Sequence, residues 1–99
     1  MEELTLVITQ LIWDDWNIAH IARHHVTPEE VEQSLGDQDV LFLKAKQGRL
    51  IVFGRAGTRL MAIVLNEQEI SGVYYVITAR DMSKKERTFY RVQKEINNE

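Results

Sequence analysis

Three histidines lie close together near the start of the chain: His20, His24 and His25. Histidine changes charge near neutral pH, so it suits general acid–base catalysis. His20 and His24 are four residues apart, which places them on one face of a helix, close to Arg23. The cluster has three interpretations: a catalytic site, a solvated polar face, or a zinc site. The zinc site is the weakest of these, because no obvious third ligand completes it.

Arginines at the ends of predicted strands form a second group of candidates. The guanidinium group is a rigid, permanently charged fork that pairs with phosphate oxygens. Arg80 follows an apolar strand and precedes a helix start at Ser83, and helix N-termini also favour phosphate. Each arginine can equally be a solubilising charge at a sheet edge. The group consists of Arg49, Arg55, Arg59 and Arg80.

The predicted C-terminal helix carries a basic face that could follow an RNA backbone. Tyr90 on this helix could stack on a base or donate a proton. The alternative is an ordinary solvated helix surface. The basic residues of the helix are Lys84, Lys85, Arg87, Arg91 and Lys94.

Several other kinds of chemistry have no support in the sequence. The chain has no cysteine, which excludes disulfides, thiolate zinc sites and a cysteine nucleophile. It also lacks phosphate-loop, zinc-protease and serine-nucleophile motifs, and we expect no cofactor or bound metal. We see neither a secretory signal nor an apolar stretch long enough for a bilayer. The sequence therefore predicts a cytoplasmic protein without a membrane partner.

Charge is distributed unevenly along the chain. The net charge is −3, which by itself does not indicate nucleic-acid binding. However, residues 1–43 contain only one basic residue, Arg23, whereas residues 44–99 contain the other eleven. This asymmetry suggests an anionic partner or two distinct surfaces. Folding could also mix the two halves and remove the asymmetry.

The helices and strands predicted for this chain indicate a single α+β domain over residues 1–99. Thr27 with Glu30, and Ser83 with Glu86, form capping boxes that start helices. Consecutive antiparallel strands between helices predict one sheet with the helices on one face. We expect strands at 4–12, 40–44, 49–55, 59–65 and 73–79, and helices at 15–24, 28–35 and 84–96. The helix residues expected in the core are Ile18, Ile21, Ala22, Phe89, Val92 and Ile96, with Asn17 on the exposed face.

Several motifs, read in order, resemble those of BrnT-type toxins. The resemblance extends from Trp13 to Arg91, and the order and spacing of the motifs make it specific. The sequence departs from the family pattern in three places: His25 stands where the family usually has glycine, His20 stands near a position where it often has asparagine, and an extra strand-like segment precedes Trp13. The matching segments are Trp13-Asp14, Arg23-His24, Val26-Thr27-Pro28-Glu29-Glu30, Gly48-Arg49-Leu50, Gly54-Arg55, Ile77-Thr78-Ala79-Arg80, Ser83-Lys84-Lys85-Glu86-Arg87 and Tyr90.

This resemblance implies a RelE-like fold and a ribonuclease toxin that acts without a metal ion. It also implies a partner antitoxin, similar to BrnA, that neutralises the toxin and helps to repress the shared operon. The assembly would be a homodimer or a toxin–antitoxin hetero-oligomer. By analogy with the family, the functional positions are His24, Arg55, Arg80, Arg87 and Tyr90.

We therefore expect RNA cleavage in which the 2′-hydroxyl of the substrate attacks the neighbouring phosphate. His24 or His20 is the expected base, and Arg55 and Arg80 hold the phosphate. Arg87 and Tyr90 are the expected orienting or proton-donating groups. The other expected RNA-binding residues are Arg23, Arg49, Arg59, Lys84, Lys85 and Arg91. This hypothesis requires the imidazole and guanidinium groups to share a cleft. The alternatives are a catalytically inactive BrnT-like protein-interaction module and, less favoured, a metal sensor.

Overall fold

The structure, a computed structural model, describes residues 6–97. Five strands form one sheet in the order β1-β5-β4-β3-β2. No described helix combines the length and apolar character needed to cross a membrane. The elements are β1 (Gln10–Ile12), α1 (Asp15–Ala22), α2 (Pro28–Leu35), β2 (Leu41–Lys44), β3 (Arg49–Ala56), β4 (Arg59–Glu67), β5 (Val73–Asp81) and α3 (Lys84–Asn97).

The sheet is mixed rather than purely antiparallel. Strands β2 to β5 are antiparallel neighbours, as predicted. β1 instead pairs in parallel with the first three residues of β5, from Gln10 opposite Val73 to Ile12 opposite Tyr75. The predicted strand 4–12 is thus reduced to three residues, and residues 4 and 5 lie outside the described part. The α+β class is confirmed, and the RelE-like label stays a prediction.

Local capping signals in the sequence are reproduced by the structure. The side chain of Thr27 accepts a hydrogen bond from the backbone of Glu30, whose carboxylate accepts one from the backbone N–H of Thr27. Ser83 and Glu86 make the same reciprocal pair at the start of α3. Both predicted capping boxes are therefore present, and each satisfies two otherwise unpaired N–H groups.

Helices α1 and α2 cover one face of the sheet and form the main core with it. Ile21 of α1 and Val31 of α2 are fully buried there. α2 lies very close to β3: a Cβ on Gly54 would come within 2.3 Å of the backbone oxygen of Ser34, so only glycine fits. The other core residues on this face are Val26, Leu50, Val52, Ala56, Met61, Ile63, Leu65, Tyr74, Val76 and Ala79.

The first helix buries a polar residue that we expected at the surface. Asn17 is 0% exposed. Its amide nitrogen donates to the backbone oxygens of Ile12 and Val76, at 2.9 and 3.1 Å. These bonds satisfy the buried amide and attach α1 to β5. Conversely, Ile18 and Ala22 are exposed, so our assignment of these three residues to helix faces was wrong.

Helix α3 lies on the opposite face of the sheet, which corrects the prediction that all helices share one face. Phe53 and Tyr90 belong to a second core cluster with Ala62 and Met82. Val52 belongs to the main core, and adjacent strand residues point to opposite faces, so α3 and α2 are on different sides. The predicted buried stripe of α3 was also wrong: Phe89, Val92 and Ile96 are exposed.

Candidate active site

Three aligned rings, called here the three-ring ridge, lie along the exposed face of α1 and the turn that follows it. The indole of Trp16 stacks on the imidazole of His20, with the ring centroids 5.0 Å apart and the planes 7° apart. His20 in turn meets His24 edge-on at a centroid distance of 6.1 Å. Trp16, Ala19, His20 and Arg23 line a cavity of about 140 Å³. Sequence reasoning missed Trp16, although its four-residue spacing from His20 was a usable signal.

The loop after α1 is held in place by Arg59 at the start of β4. Its guanidinium group donates to the backbone oxygens of His25 and His24, at 2.6 and 2.9 Å. It also pairs with Asp81 at 2.6 Å and with Glu30 at 3.0 Å. These partners occupy Arg59 within the protein, so its expected role in RNA binding has no geometric support.

His25 adopts a left-handed backbone conformation with φ of 59°. Glycine takes this conformation without a steric penalty, whereas other residues are disfavoured there. The structure thus gives a physical reason for the glycine that the resemblance indicated at this position. The chain turn is retained even though the residue differs.

Hydrogen bonds connect His24 and Arg87 to the same segment at the end of β5, Asp81 and Met82. The hydrogen bond from Arg59 is the main cause that lowers the pKa of Asp81, and the positive charges of Arg87 and His24 lower it further. Arg87 is oriented by a hydrogen bond of 2.9 Å from its guanidinium to the backbone oxygen of Met82. Arg59 therefore ties the backbone of His24 to Asp81, and the partly exposed Arg87 binds the residue next to Asp81.

A second cationic site lies on the α3 side of the sheet. A cavity of about 240 Å³ is lined by Arg55, Arg91 and Lys94, together with Thr58, Leu60 and Tyr90. Lys94 is partly neutralised by Asp39 at 3.4 Å. Arg55 and Arg91 have no ion-pair partner among residues 6–97. The cavity can therefore attract an anionic group such as a backbone phosphate.

Tyr90 is a structural residue in this geometry. The residue is 2% exposed, and its hydroxyl donates a hydrogen bond of 2.7 Å to Asp37. Burial is the first cause that raises the pKa of Tyr90, and the Asp37 carboxylate raises it further. A phenol held in this way donates its proton poorly to a substrate. The expected acid or stacking role of Tyr90 is not supported.

Arg80 pairs with Glu86 rather than standing open to a ligand. Its guanidinium group donates two hydrogen bonds to the Glu86 carboxylate, at 2.6 and 3.0 Å. The hydrogen bond from Arg80 is the main cause that lowers the pKa of Glu86 to about 2. The same carboxylate caps α3, so Arg80 fixes the start of the helix that carries Arg87.

The single cleft required by the mechanism expected from sequence is not formed. Arg55 and Arg80 lie on the α3 side of the sheet, because their neighbours Ala56 and Ala79 point into the core under α1 and α2. His20 lies on α1, across the sheet, and His24 lies in the turn after it, because the helix expected at 15–24 ends at Ala22. Arg49, Lys84 and Lys85 are exposed, and Arg49 lines a separate cavity with Lys44, Ala45, Gly48, Leu50, Glu67 and Tyr74, among others. Of the expected catalytic residues, Arg55 and Tyr90 line one cavity, and His24 is joined through Arg59 to the segment that Arg87 binds.

No group of three or more histidine or carboxylate side chains among residues 6–97 is arranged to hold a metal ion. The two imidazoles of the three-ring ridge are those of His20 and His24.

A protein-family model and a solved structure both match this chain. A family model described as "Ribonuclease toxin, BrnT, of type II toxin-antitoxin system" matches residues 13–86. A crystal structure of the Brucella abortus ribonuclease toxin BrnT, at 1.1 Å resolution, matches with a TM-score of 0.60 and 24% identity. It covers 81% of this chain and 100% of that chain, and at this identity it shows a shared fold. No curated protein matches the sequence.

The family match spans α1, its three-ring ridge, the Arg59–Asp81 pair and the start of α3. It thereby confirms the resemblance on which the sequence-based expectation of a toxin depended. The chain belongs to the BrnT family of ribonuclease toxins from type II toxin–antitoxin systems.

Proposed function

We propose that this chain is an endoribonuclease toxin that acts in the cytoplasm and cleaves RNA without a metal ion. The observation that carries the proposal is a set of hydrogen bonds: Arg59 joins the backbone of His24 to Asp81, and Arg87 binds the backbone of the next residue, Met82. Family membership supplies the substrate class, RNA. The proposed site therefore lies around His24 and Arg87, and not in the cleft expected around Arg55 and Arg80.

In the proposed reaction, the ribose 2′-oxygen attacks the adjacent phosphorus atom and the bond to the 5′-oxygen of the next nucleotide breaks. His24 takes the proton of the 2′-hydroxyl. Arg87 stabilises the charge that develops on the phosphate oxygens. His20, the other imidazole on the ridge, gives a proton to the departing 5′-oxygen. The products carry a 2′,3′-cyclic phosphate and a free 5′-hydroxyl.

The remaining cations have supporting roles in this proposal. Arg55 and Arg91 bind backbone phosphates of the same RNA on the α3 side, because their cavity is cationic. Arg49, Lys84 and Lys85 contribute exposed positive charge. Arg80 is a positioning residue that acts through Glu86, and Arg59 holds the His24 loop.

The test is RNA cleavage by the purified chain in EDTA. The His24→Ala variant should lose roughly 10²- to 10⁴-fold in rate, the usual value of general acid–base catalysis. His25→Gly is the matched control, since it removes an adjacent imidazole and keeps the left-handed turn. It should cleave like the parent. A parent that leaves RNA intact, or a fully active His24→Ala variant, would contradict the proposal.

We further propose that a BrnA-like antitoxin binds the outer face of α3. Phe89, Val92 and Ile96 are 40%, 45% and 56% exposed and lie on one side of the helix. Membership of a type II toxin–antitoxin family implies an antitoxin partner, and an apolar helical stripe is a common docking feature. Toxin and antitoxin would then form a hetero-oligomer.

The second candidate function is a catalytically inactive interaction module. It is favoured by the same apolar stripe and by the separation of Arg55 and Arg80 from the histidines. The EDTA experiment discriminates between the two candidates. Intact RNA combined with tight antitoxin binding supports the module, whereas cleavage supports the enzyme.

A further inference from the structure

The three-ring ridge on α1 extends beyond the residues that the proposed reaction uses. Trp16 is 60% exposed, although an indole offers a large apolar surface. It stacks on His20, which contacts His24, so the three-ring ridge connects Trp16 to the proposed base. Trp16 belongs to neither of the two core clusters found in the described part of the chain. Its exposure is therefore better explained by a ligand than by folding.

The cavity beside Trp16 has the size and lining of a site for one flat ring. Its volume is about 140 Å³, below the roughly 300–1,000 Å³ of usual small-molecule sites. Ala19 lies between the larger residues of this helix face, and its short side chain leaves the space open. Arg23 closes one side, and no carboxylate is among the lining residues. The site thus combines an aromatic platform with positive charge.

We infer that this cavity binds one unpaired base of the RNA substrate, stacked on Trp16, with its phosphate contacted by Arg23. The inference rests on the proposed function, because it places that base next to the scissile phosphate at His24. Aromatic side chains stack on bases with little regard to sequence, and a base inside a duplex has both faces covered. The ridge therefore selects single-stranded RNA.

The test measures binding separately from cleavage. The probe is a fluorescent single-stranded oligonucleotide in which every 2′-hydroxyl is methylated, so that it has no nucleophile. By fluorescence anisotropy, Trp16→Ala should bind it about 5- to 150-fold more weakly than the parent, the usual value of one stacked base. Trp16→Phe should recover much of the loss. Ala19→Leu, which fills the cavity and leaves Trp16 in place, should also weaken binding.

Two comparison probes make the result specific. A strand of the same length without bases should bind the parent and Trp16→Ala equally, and a duplex of the same sequence should show little effect of the substitution. Equal binding of the methylated strand by both proteins would overturn the inference. Equal weakening on the baseless strand, or loss of antitoxin binding instead, would also overturn it. Failure of the proposed function is seen separately, as absent cleavage of ordinary RNA by the parent.

Discussion

Nε of Arg59 lies 2.6 Å from Oδ1 of Asp81, and the same guanidinium group binds the backbone oxygens of the loop that carries His24. The pair joins the start of β4, the end of β5 and the end of α1. It therefore links the stability of this end of the sheet to the position of the proposed base. Asp81 also lies within the electrostatic influence of Arg87, which connects the pair to α3.

The first prediction concerns this link. Arg59→Met retains the apolar stem and removes every hydrogen bond of the guanidinium group. Since bonds to charged groups contribute about 1.5–3 kcal/mol, we expect the free energy of unfolding to fall by about 2 kcal/mol. Urea unfolding measures this, with Arg49→Met as the control for loss of an exposed arginine. An unchanged unfolding free energy would show that Arg59 does not hold the loop.

The second prediction concerns acid stability. The pKa of Glu86 is about 2 in the folded protein, below its ordinary value of 4.5. A depressed carboxyl pKa contributes stability above the unfolded pKa, and this contribution is lost as pH falls toward the folded pKa. The parent should therefore lose stability between about pH 5 and pH 2. Glu86→Gln should be less stable at pH 7 and lose less on acidification.

Urea unfolding of the two proteins at several pH values in this range measures that difference. The Glu30 and Asp81 carboxyls also have lowered pKa values, through Thr27 and Arg59 respectively. Part of the acid sensitivity must therefore remain in Glu86→Gln. Identical pH dependence in both proteins would exclude the Arg80–Glu86 pair as a source of acid sensitivity.

The third prediction separates structure from catalysis at Tyr90. Tyr90→Phe removes the hydroxyl and leaves the partly buried Asp37 carboxylate without its donor. We expect a loss of about 1–3 kcal/mol in unfolding free energy and an RNA cleavage rate close to that of the parent. A folded Tyr90→Phe protein with a rate at least a hundredfold lower would restore Tyr90 as a proton donor.

The fourth prediction concerns the antitoxin surface. Val92→Glu places a charge in the exposed apolar stripe of α3, where a docked antitoxin would have to desolvate it. Co-purification with the antitoxin should be lost while RNA cleavage is kept. Ser71→Glu, in the exposed β4–β5 connection, is the charge control and should retain the antitoxin. Retention by Val92→Glu would place the partner elsewhere.

Features set by neighbours in sequence were predictable, and features set by distant contacts were not. The capping boxes at Thr27 and Ser83 depend on residues three apart, so the sequence alone located both helix starts. Asn17 was misplaced because its bond to Val76 joins segments far apart in the chain. The spacing of Asp14 and Asn17, which form a reciprocal cap, was a signal that could have been used.

The candidate site was only partly predictable for a similar reason. His20 and His24 were identified from their four-residue spacing, and their rings are neighbours although His24 lies in the turn after α1. Arg59 and Arg80 were expected to bind RNA. The sequence did not reveal their ion-pair partners, Asp81 and Glu86, because these pairs form only in the folded sheet and helix. The apolar pattern of α3 pointed to Phe89 as buried, whereas the second core cluster buries Tyr90.

The central claim is that the 2′-hydroxyl of the substrate is the nucleophile and that no metal ion is needed. The most direct measurement compares cleavage, in EDTA, of an RNA strand and of the same strand carrying one 2′-O-methyl group at the cleavage position. The account predicts fragments ending in 2′,3′-cyclic phosphate from the first strand and no cleavage at that position in the second. Cleavage of both strands, or cleavage only after a divalent metal is added, would contradict it.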